Sequence, residues 1–237
     1  MIKLSNLLIA LVLFSCVSDN EKIAIDQIKS LYQTEDVEIT FGFNASTSES
    51  SNRYISLEIK NSPIVNSEGY NVDYAGSTSA IALFLQLTDD QFEKYDLVKT
   101  FIVTDNNNKK TSFEYSFTLD QLKSVQMSYS FLENFLNKLK LDDFEGASEM
   151  FSESFFEEIS KVDFINSLSS INSEFGSIRK AELVGFELTE AEFRGKEIPV
   201  IQVWGINEHE RGNTTTTYLI SIEDTNIEIV AIEINSW

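Results

Sequence analysis

Between Val37 and Phe43 the apolar residues Val37, Ile39, Phe41 and Phe43 alternate with polar ones, and a period of two predicts a half-buried strand. Before it, Ile23, Ile25, Ile28, Leu31 and Tyr32 are spaced for a short helix or an opening segment. A Ser/Thr-rich turn at residues 45–52 leads into Tyr54, Ile55, Leu57 and Ile59, the partner strand of an antiparallel pair. Ser77-Thr78-Ser79 then reads as a helix cap ahead of Ala80, Ile81, Leu83, Phe84 and Leu87, with a fresh start at Thr88-Asp89-Asp90. Residues 97–104 and 111–118 flank Asp105-Asn106-Asn107-Asn108-Lys109, a set of turn formers that predicts a hairpin. The expected order is β-β-α-β-β, a small α+β module over residues 23–126.

Near Gln126 to Ser128 the rhythm changes. Tyr129, Leu132, Leu136 and Leu139 recur at three and four residues, with Phe131 and Phe135 widening the stripe, which predicts an amphipathic helix. A short helix is expected over residues 145–151. Asp163 is read as the cap of another, whose Phe164, Leu168, Ile171 and Phe175 share a face and which stops at Gly176. Four strands follow, at residues 181–188, 198–206, 214–223 and 227–234, with Gly205 and Gly212 bracketing the longest hairpin loop. Short connections make them an antiparallel meander, so the second half, residues 127–237, is an α+β layer of helices covered by a sheet.

That order resembles the NTF2-like, or cystatin-like, cone fold. The residues that carry the likeness are Phe131-Leu132-Glu133-Asn134-Phe135-Leu136-Asn137-Lys138-Leu139, then Asp142-Asp143-Phe144-Glu145-Gly146-Ala147, then Ile171-Asn172-Ser173-Glu174-Phe175-Gly176. The pattern concerns packing, and it transfers no activity, because this fold hosts both enzymes and inert binding modules.

The chain begins Met1-Ile2-Lys3 and runs without charge from Leu7 to Phe14. A membrane-spanning helix needs about 20 apolar residues, so this shorter run, charged then apolar then small, has the order of a secretory signal. Leu13-Phe14-Ser15-Cys16 resembles the lipobox of bacterial lipoproteins. The resemblance implies removal of residues 1–15, diacylation of the Cys16 thiol, and anchorage to the outer membrane of a Gram-negative bacterium, on its periplasmic face or at the cell surface. Residues 16–22 would then be a lipidated tether. Val17-Ser18-Asp19-Asn20-Glu21 is similar to the acidic tracts that send some such lipoproteins to the surface, and reads equally as a solvated linker. Cys16 is the single cysteine, so no disulfide forms within the chain.

Charge removes one class of partner. With 18 Lys and Arg against 38 Asp and Glu, the net charge is -20, and loss of Lys3 with the signal makes it -21. Nucleic-acid binding needs clustered cations to displace counterions from phosphates, and here they are few and scattered. At 42% hydrophobic, with 18 phenylalanines, the chain can bury a sizeable core.

Candidate chemistry is sparse. One histidine and one cysteine leave almost nothing to ligate zinc, and the loop starting at Asp105 lacks a calcium loop's glycine and closing carboxylate, with Lys110 and Ser116 in those places. Asp89-Asp90 and Asp142-Asp143 read as helix-start acids. His209, among Asn207, Glu208, Glu210 and Arg211, reads as an exposed loop residue. No cofactor or metal is implied. Alternation places Val200, Gln202 and Trp204 on one strand face and Tyr218 and Ile220 on one face of the next. These side chains either line an apolar pocket, with Gln202, Trp204 and Tyr218 as candidate lining residues, or fill the core. Glu187 and Asp224 are the acids nearest to it. The expected role is a non-enzymatic envelope module that engages a protein or small ligand; the alternative is an isomerase- or dehydratase-type enzyme using a carboxylate inside the cone.

Overall fold

In the computed structural model, the described residues are 18–44, 52–67, 70–106, 109–193, 196–223 and 226–236. Cys16, the expected signal run and Asp224 lie outside them, as do most of the turn before the second strand and the tip of the 105–109 hairpin. The fold is mixed α+β, with six α-helices and two four-stranded sheets among the described residues.

The first element among the described residues is α1 (Asp19–Tyr32). Ser18 caps it in a full capping box with Glu21, and Ala24, Ile28 and Tyr32 fall on its buried stripe. Residues 19–22, expected as tether, are therefore the first turn of a helix. The first sheet comprises β1 (Val37–Asn44), β2 (Asn52–Ile59), β3 (Leu97–Asn106) and β4 (Lys109–Thr118), in that order across the sheet. The outer pairs are antiparallel, whereas β2 and β3 run parallel. A parallel pair needs a crossover, and α2 (Val72–Phe84) and α3 (Asp89–Phe92) supply it.

Register divides this sheet cleanly. Ile55, Leu57 and Ile59 lie beside Val98, Thr100 and Ile102, all fully buried under α1 and α2. The opposite face carries the Lys60–Glu58 and Lys99–Glu114 ion pairs and lies in water. Such exposed pairs contribute roughly 0–1 kcal/mol each, so the helix-covered face holds the sheet together.

α2 begins at Asn71, whose side chain accepts from the Asp73 amide, and not at Ser77-Thr78-Ser79, which sit mid-helix. It buries residues around most of its circumference, which marks a helix enclosed on several sides. One side meets the first sheet, where Thr100 Oγ1 donates to the Gly76 carbonyl at 3.0 Å. Another meets the second sheet.

The second half starts with α4 (Leu119–Lys140), capped by Thr118 and Gln121. It runs unbroken through the expected boundary at residues 126–127, because Leu122, Val125, Ser128 and Leu132 form one continuous buried stripe. After α5 (Phe144–Ser148) and a 3-10 turn at Glu153–Glu157, α6 (Lys161–Phe175) is capped by Ser160, with Asp163 one turn inside. Gly176, at φ 80°, ends it in a conformation that favours glycine. The meander is β5 (Ile178–Phe193), β6 (Lys196–His209), β7 (Asn213–Glu223) and β8 (Asn226–Ser236), antiparallel throughout. Each strand except β7 gains two or more residues at one or both ends over its predicted span, and Gly205 lies inside β6 instead of flanking a loop.

One face of this sheet packs on α4 and α6, where Phe135, Phe151, Phe155 and Phe164 stack mostly edge to face. Both free edges are covered. Met150 and Ser152 exchange backbone hydrogen bonds with Ile229 of β8 at 3.1 Å each. At β5 the partner is α2. Buried apolar residues of both halves, from Ala24 to Ile229, form a single core.

Candidate functional site

The predicted pocket residues separate. Val203 pairs with Tyr218 in the β6–β7 register, whereas Gln202 pairs with Leu219 and Trp204 with Thr217. Directly paired residues share a face, so Tyr218 points one way and Gln202 and Trp204 the other. Alternation within each strand was legible; the relative phase of two strands depends on the turn between them, and that phase was missed.

Tyr218 is buried against the Phe135 ring, at 6.0 Å between centroids. Burial pushes its phenol up to about 12, opposed by the neighbouring hydroxyl of Thr216 and amide of Asn207. Trp204 lies on the other face and stacks on Tyr74 of α2, with centroids 4.7 Å apart. Gln202 is half-buried beside it, and Glu187 is exposed.

His209 is also not the exposed loop residue expected. β6 extends to it, and odd-numbered positions of β6 face the helices, so the ring turns inward and is 8% exposed. Its Nδ1 lies 2.9 Å from the Gly176 carbonyl and its Nε2 3.2 Å from Thr214 Oγ1. Asn207 donates to Thr214 and Thr216 hydroxyls beside it. The imidazole thus joins the end of α6 to the β6–β7 turn. Extending the Ile201, Val203, Gly205, Asn207 alternation two more residues finds it.

Between this cluster and Leu139, Phe144, Leu168 and Ile171 remains a void of about 30 Å³, room for one water molecule. Phe135, Phe151, Phe164, Val203, Ile220 and Ile229 are among the buried side chains that fill the interior beside it. Glu21 is the only buried carboxylate among the described residues, and it lies in the first half, hydrogen-bonded to Gln91. No group of three His, Cys, Asp or Glu among the described residues is placed to hold a metal. Val200 and Ile220 are both among the residues lining an open groove of about 750 Å³ under the first turns of α4, together with Glu190 and Glu197.

The better-walled concavity lies where the two halves meet. A cleft of about 550 Å³ has Leu31, Tyr32, Tyr70 and Tyr74 on one wall and Val184 and Ile206 on the other. That size lies within the range of small-molecule sites. Local sequence sets each aromatic. Tyr32 is the last residue of α1, turned inward before Gln33 takes a left-handed conformation, and its carbonyl accepts from Ser62 at 2.7 Å. Tyr70 precedes the Asn71 cap, and Tyr74 occupies the first turn of α2. Burial raises the Tyr32 phenol well above its ordinary value, and the adjoining Tyr70 hydroxyl adds to the shift. Burial raises Tyr70 as well. Both hydroxyls are therefore neutral donors in an apolar setting. Glu182 and Thr78 add polar groups at the cleft. The arrangement can hold and orient an apolar or aromatic group.

No protein-family model and no curated protein matches the sequence. Among solved structures, that of Bdellovibrio bacteriovorus Bd1075 is 12% identical to it over 55% of this chain and 45% of that chain, with a TM-score of 0.37. The chain thus spans less than half of that neighbour, and a likeness at this level carries no argument about fold or function.

Proposed function

We propose that the protein is a lipid-anchored module of the bacterial cell envelope that binds a partner or small ligand in the cleft between its two halves and performs no reaction there. The observation that carries the binding reading is the cleft itself, an apolar concavity with neutral tyrosine hydroxyls and no acid–base pair. The anchor rests on Leu13-Phe14-Ser15-Cys16 and on the export-signal order before it. No helix among the described residues is long and apolar enough to cross a membrane. We take α4 to α6 with β5 to β8 as an NTF2-like layer, supported by the order of helices first and antiparallel meander after.

The alternative, an isomerase or dehydratase using a carboxylate inside the helix–sheet interior, has as its nearest acids Glu187, which is exposed, and Asp224, which lies outside the described residues.

Mass spectrometry of membrane-extracted protein, with Cys16→Ser alongside, tests the anchor. Acylated wild type in the membrane and unmodified Cys16→Ser in the soluble fraction are expected; soluble, unmodified wild type would overturn it. Titration with the apolar dye Nile red, read through the dye's own fluorescence, tests the cleft. Tyr70→Ala should weaken dye binding several-fold, and equal binding by both proteins would dismiss the cleft as the site.

A further inference from the structure

We infer that the protein sits directly on the bilayer through the end of its first sheet nearest Ser18, with Phe43 and Phe92 in the headgroup layer, instead of hanging from a flexible tether. This rests on the reading of Cys16 as lipidated.

The first observation is reach. One residue, Val17, separates Cys16 from Ser18, and the two Cα–Cα steps span at most about 7 Å. Ser18 is already fixed to the body: its amide donates to Glu21 Oε2 at 2.7 Å, and its hydroxyl accepts from the Glu21 amide at 3.2 Å. Glu21 is buried and accepts a hydrogen bond from the Gln91 side chain, which locks the first turn of α1 to α3. A lipid on Cys16 therefore has no slack through which the body could move away.

The second observation concerns what surrounds Ser18. α1 and β1 are joined by four residues, and ring and charge contacts bring the far end of β1 close to the first turn of α1. Phe41 there stacks on Tyr95 at 5.7 Å, and Tyr95 adjoins Glu21. Two residues on, Phe43 lies opposite Arg53, whose guanidinium donates to the Glu93 carbonyl at 3.0 Å. Glu93 follows Phe92. Phe43 is 59% exposed and Phe92 37%, so two large aromatics face outward beside the point where the anchor leaves. Aromatic and aliphatic side chains at such a level bury themselves in the headgroup and acyl boundary.

Charge does not draw this end to the membrane. Asp19, Asp89 and Asp90 lie there and are exposed, so lipid reach and apolar contact seat it, and a zwitterionic surface suits it better than an anionic one.

The test uses the acylated full chain, extracted and reconstituted in phosphatidylethanolamine–phosphatidylcholine vesicles. Since acylation consumes the Cys16 thiol, Phe43→Cys, Phe92→Cys and Leu141→Cys each give one site for a nitroxide. Leu141, 79% exposed at the end of α4, is the reference. The expected result is several-fold higher oxygen relative to aqueous-nickel accessibility at 43 and 92 than at 141. Equal, water-like values at all three sites on protein whose mass shows the acyl chains would overturn the seat alone. An unacylated mass would overturn the seat and the anchor together.

Discussion

Thr78 donates its hydroxyl hydrogen to the Val184 carbonyl at 2.8 Å, across 106 residues of chain. One residue earlier in the helix, Ser77 accepts from the Phe186 amide at 3.1 Å. Val184 and Phe186 belong to the outer edge of β5, at a register shift between Leu183 and Gly185, where backbone groups have no strand to pair with. An open edge invites association with other chains. Here two hydroxyls of a buried helix occupy it.

Ser77→Ala leaves the Phe186 amide without a partner in a buried setting, at a cost of about 1–3 kcal/mol. Thr78→Val, nearly the same shape, does the same to the Val184 carbonyl. Both variants should unfold at lower denaturant, and hydrogen exchange of the Phe186 amide should accelerate in Ser77→Ala. Unchanged exchange at that amide would mean the bond does not hold the edge.

Gly185 allows the approach that these bonds need. A Cβ there would stand 3.1 Å from Ser77 Oγ and 3.3 Å from Tyr74 Cα, and the latter is backbone that cannot swing aside. Gly185→Ala should therefore destabilise by about 1–3 kcal/mol, as overpacking does, and shift tryptophan emission to the red as Tyr74 is displaced from Trp204. A variant as stable as the parent would show that α2 can retreat.

The two halves share one core, and α4 crosses the boundary that the sequence suggested. Chemical unfolding of the whole chain should be a single transition, with fluorescence and circular dichroism coincident. A fragment of residues 127–237 loses the Thr118–Gln121 cap along with Leu122 and Val125. It should show much less helix per residue than the parent. A well-folded fragment would show that residues 127–237 form an independent domain.

Tyrosine burial sets the alkaline limit. Tyr218 ionises near 12 in the folded chain against 10.0 when exposed. The folded state therefore holds its proton more tightly. Stability from this residue is fully present below pH 10 and declines as pH rises to about 12, by about 2–3 kcal/mol in all. Tyr32, Tyr115 and Tyr129 are raised in the same direction by burial. Tyrosinate absorbance should appear together with unfolding, and Tyr218→Phe should flatten the loss of stability between pH 10 and 12. Absorbance that rises while the fold persists would contradict this.

Tyr129 is partly buried, but its hydroxyl is enclosed and has no hydrogen-bond partner among the described residues. Removing an unsatisfied buried hydroxyl relieves a cost of about 1–3 kcal/mol, so Tyr129→Phe should raise the melting temperature. A lower one would reveal a bound water at that hydroxyl.

Much of the secondary structure was legible because it is written in nearest neighbours. The alternation at Val37–Phe43 and the three- and four-residue spacing at Leu132–Leu139 reflect which side of a strand or helix meets the core. Turn chemistry located the β3–β4 hairpin, and Gly176 the end of α6. The candidate site was much less legible. Its tyrosines come from three local contexts, the end of α1, the residue before a cap and the first turn of α2, and none carries a mark distinguishing a cleft wall from ordinary core.

By itself, the sequence determined where most strands and helices lie, that the last four strands form an antiparallel meander, and that the surface is strongly acidic. Tertiary structure alone decided that Ser77 and Thr78 clamp a distant strand edge where a local cap was expected, that Tyr218 and Trp204 face opposite ways, that His209 is buried, and that α4 welds the halves. The physical reason is range. A repeat or a cap is satisfied within one turn or one strand, whereas the cover on a face or an edge comes from residues a hundred positions away, and their choice is made only when the whole core closes.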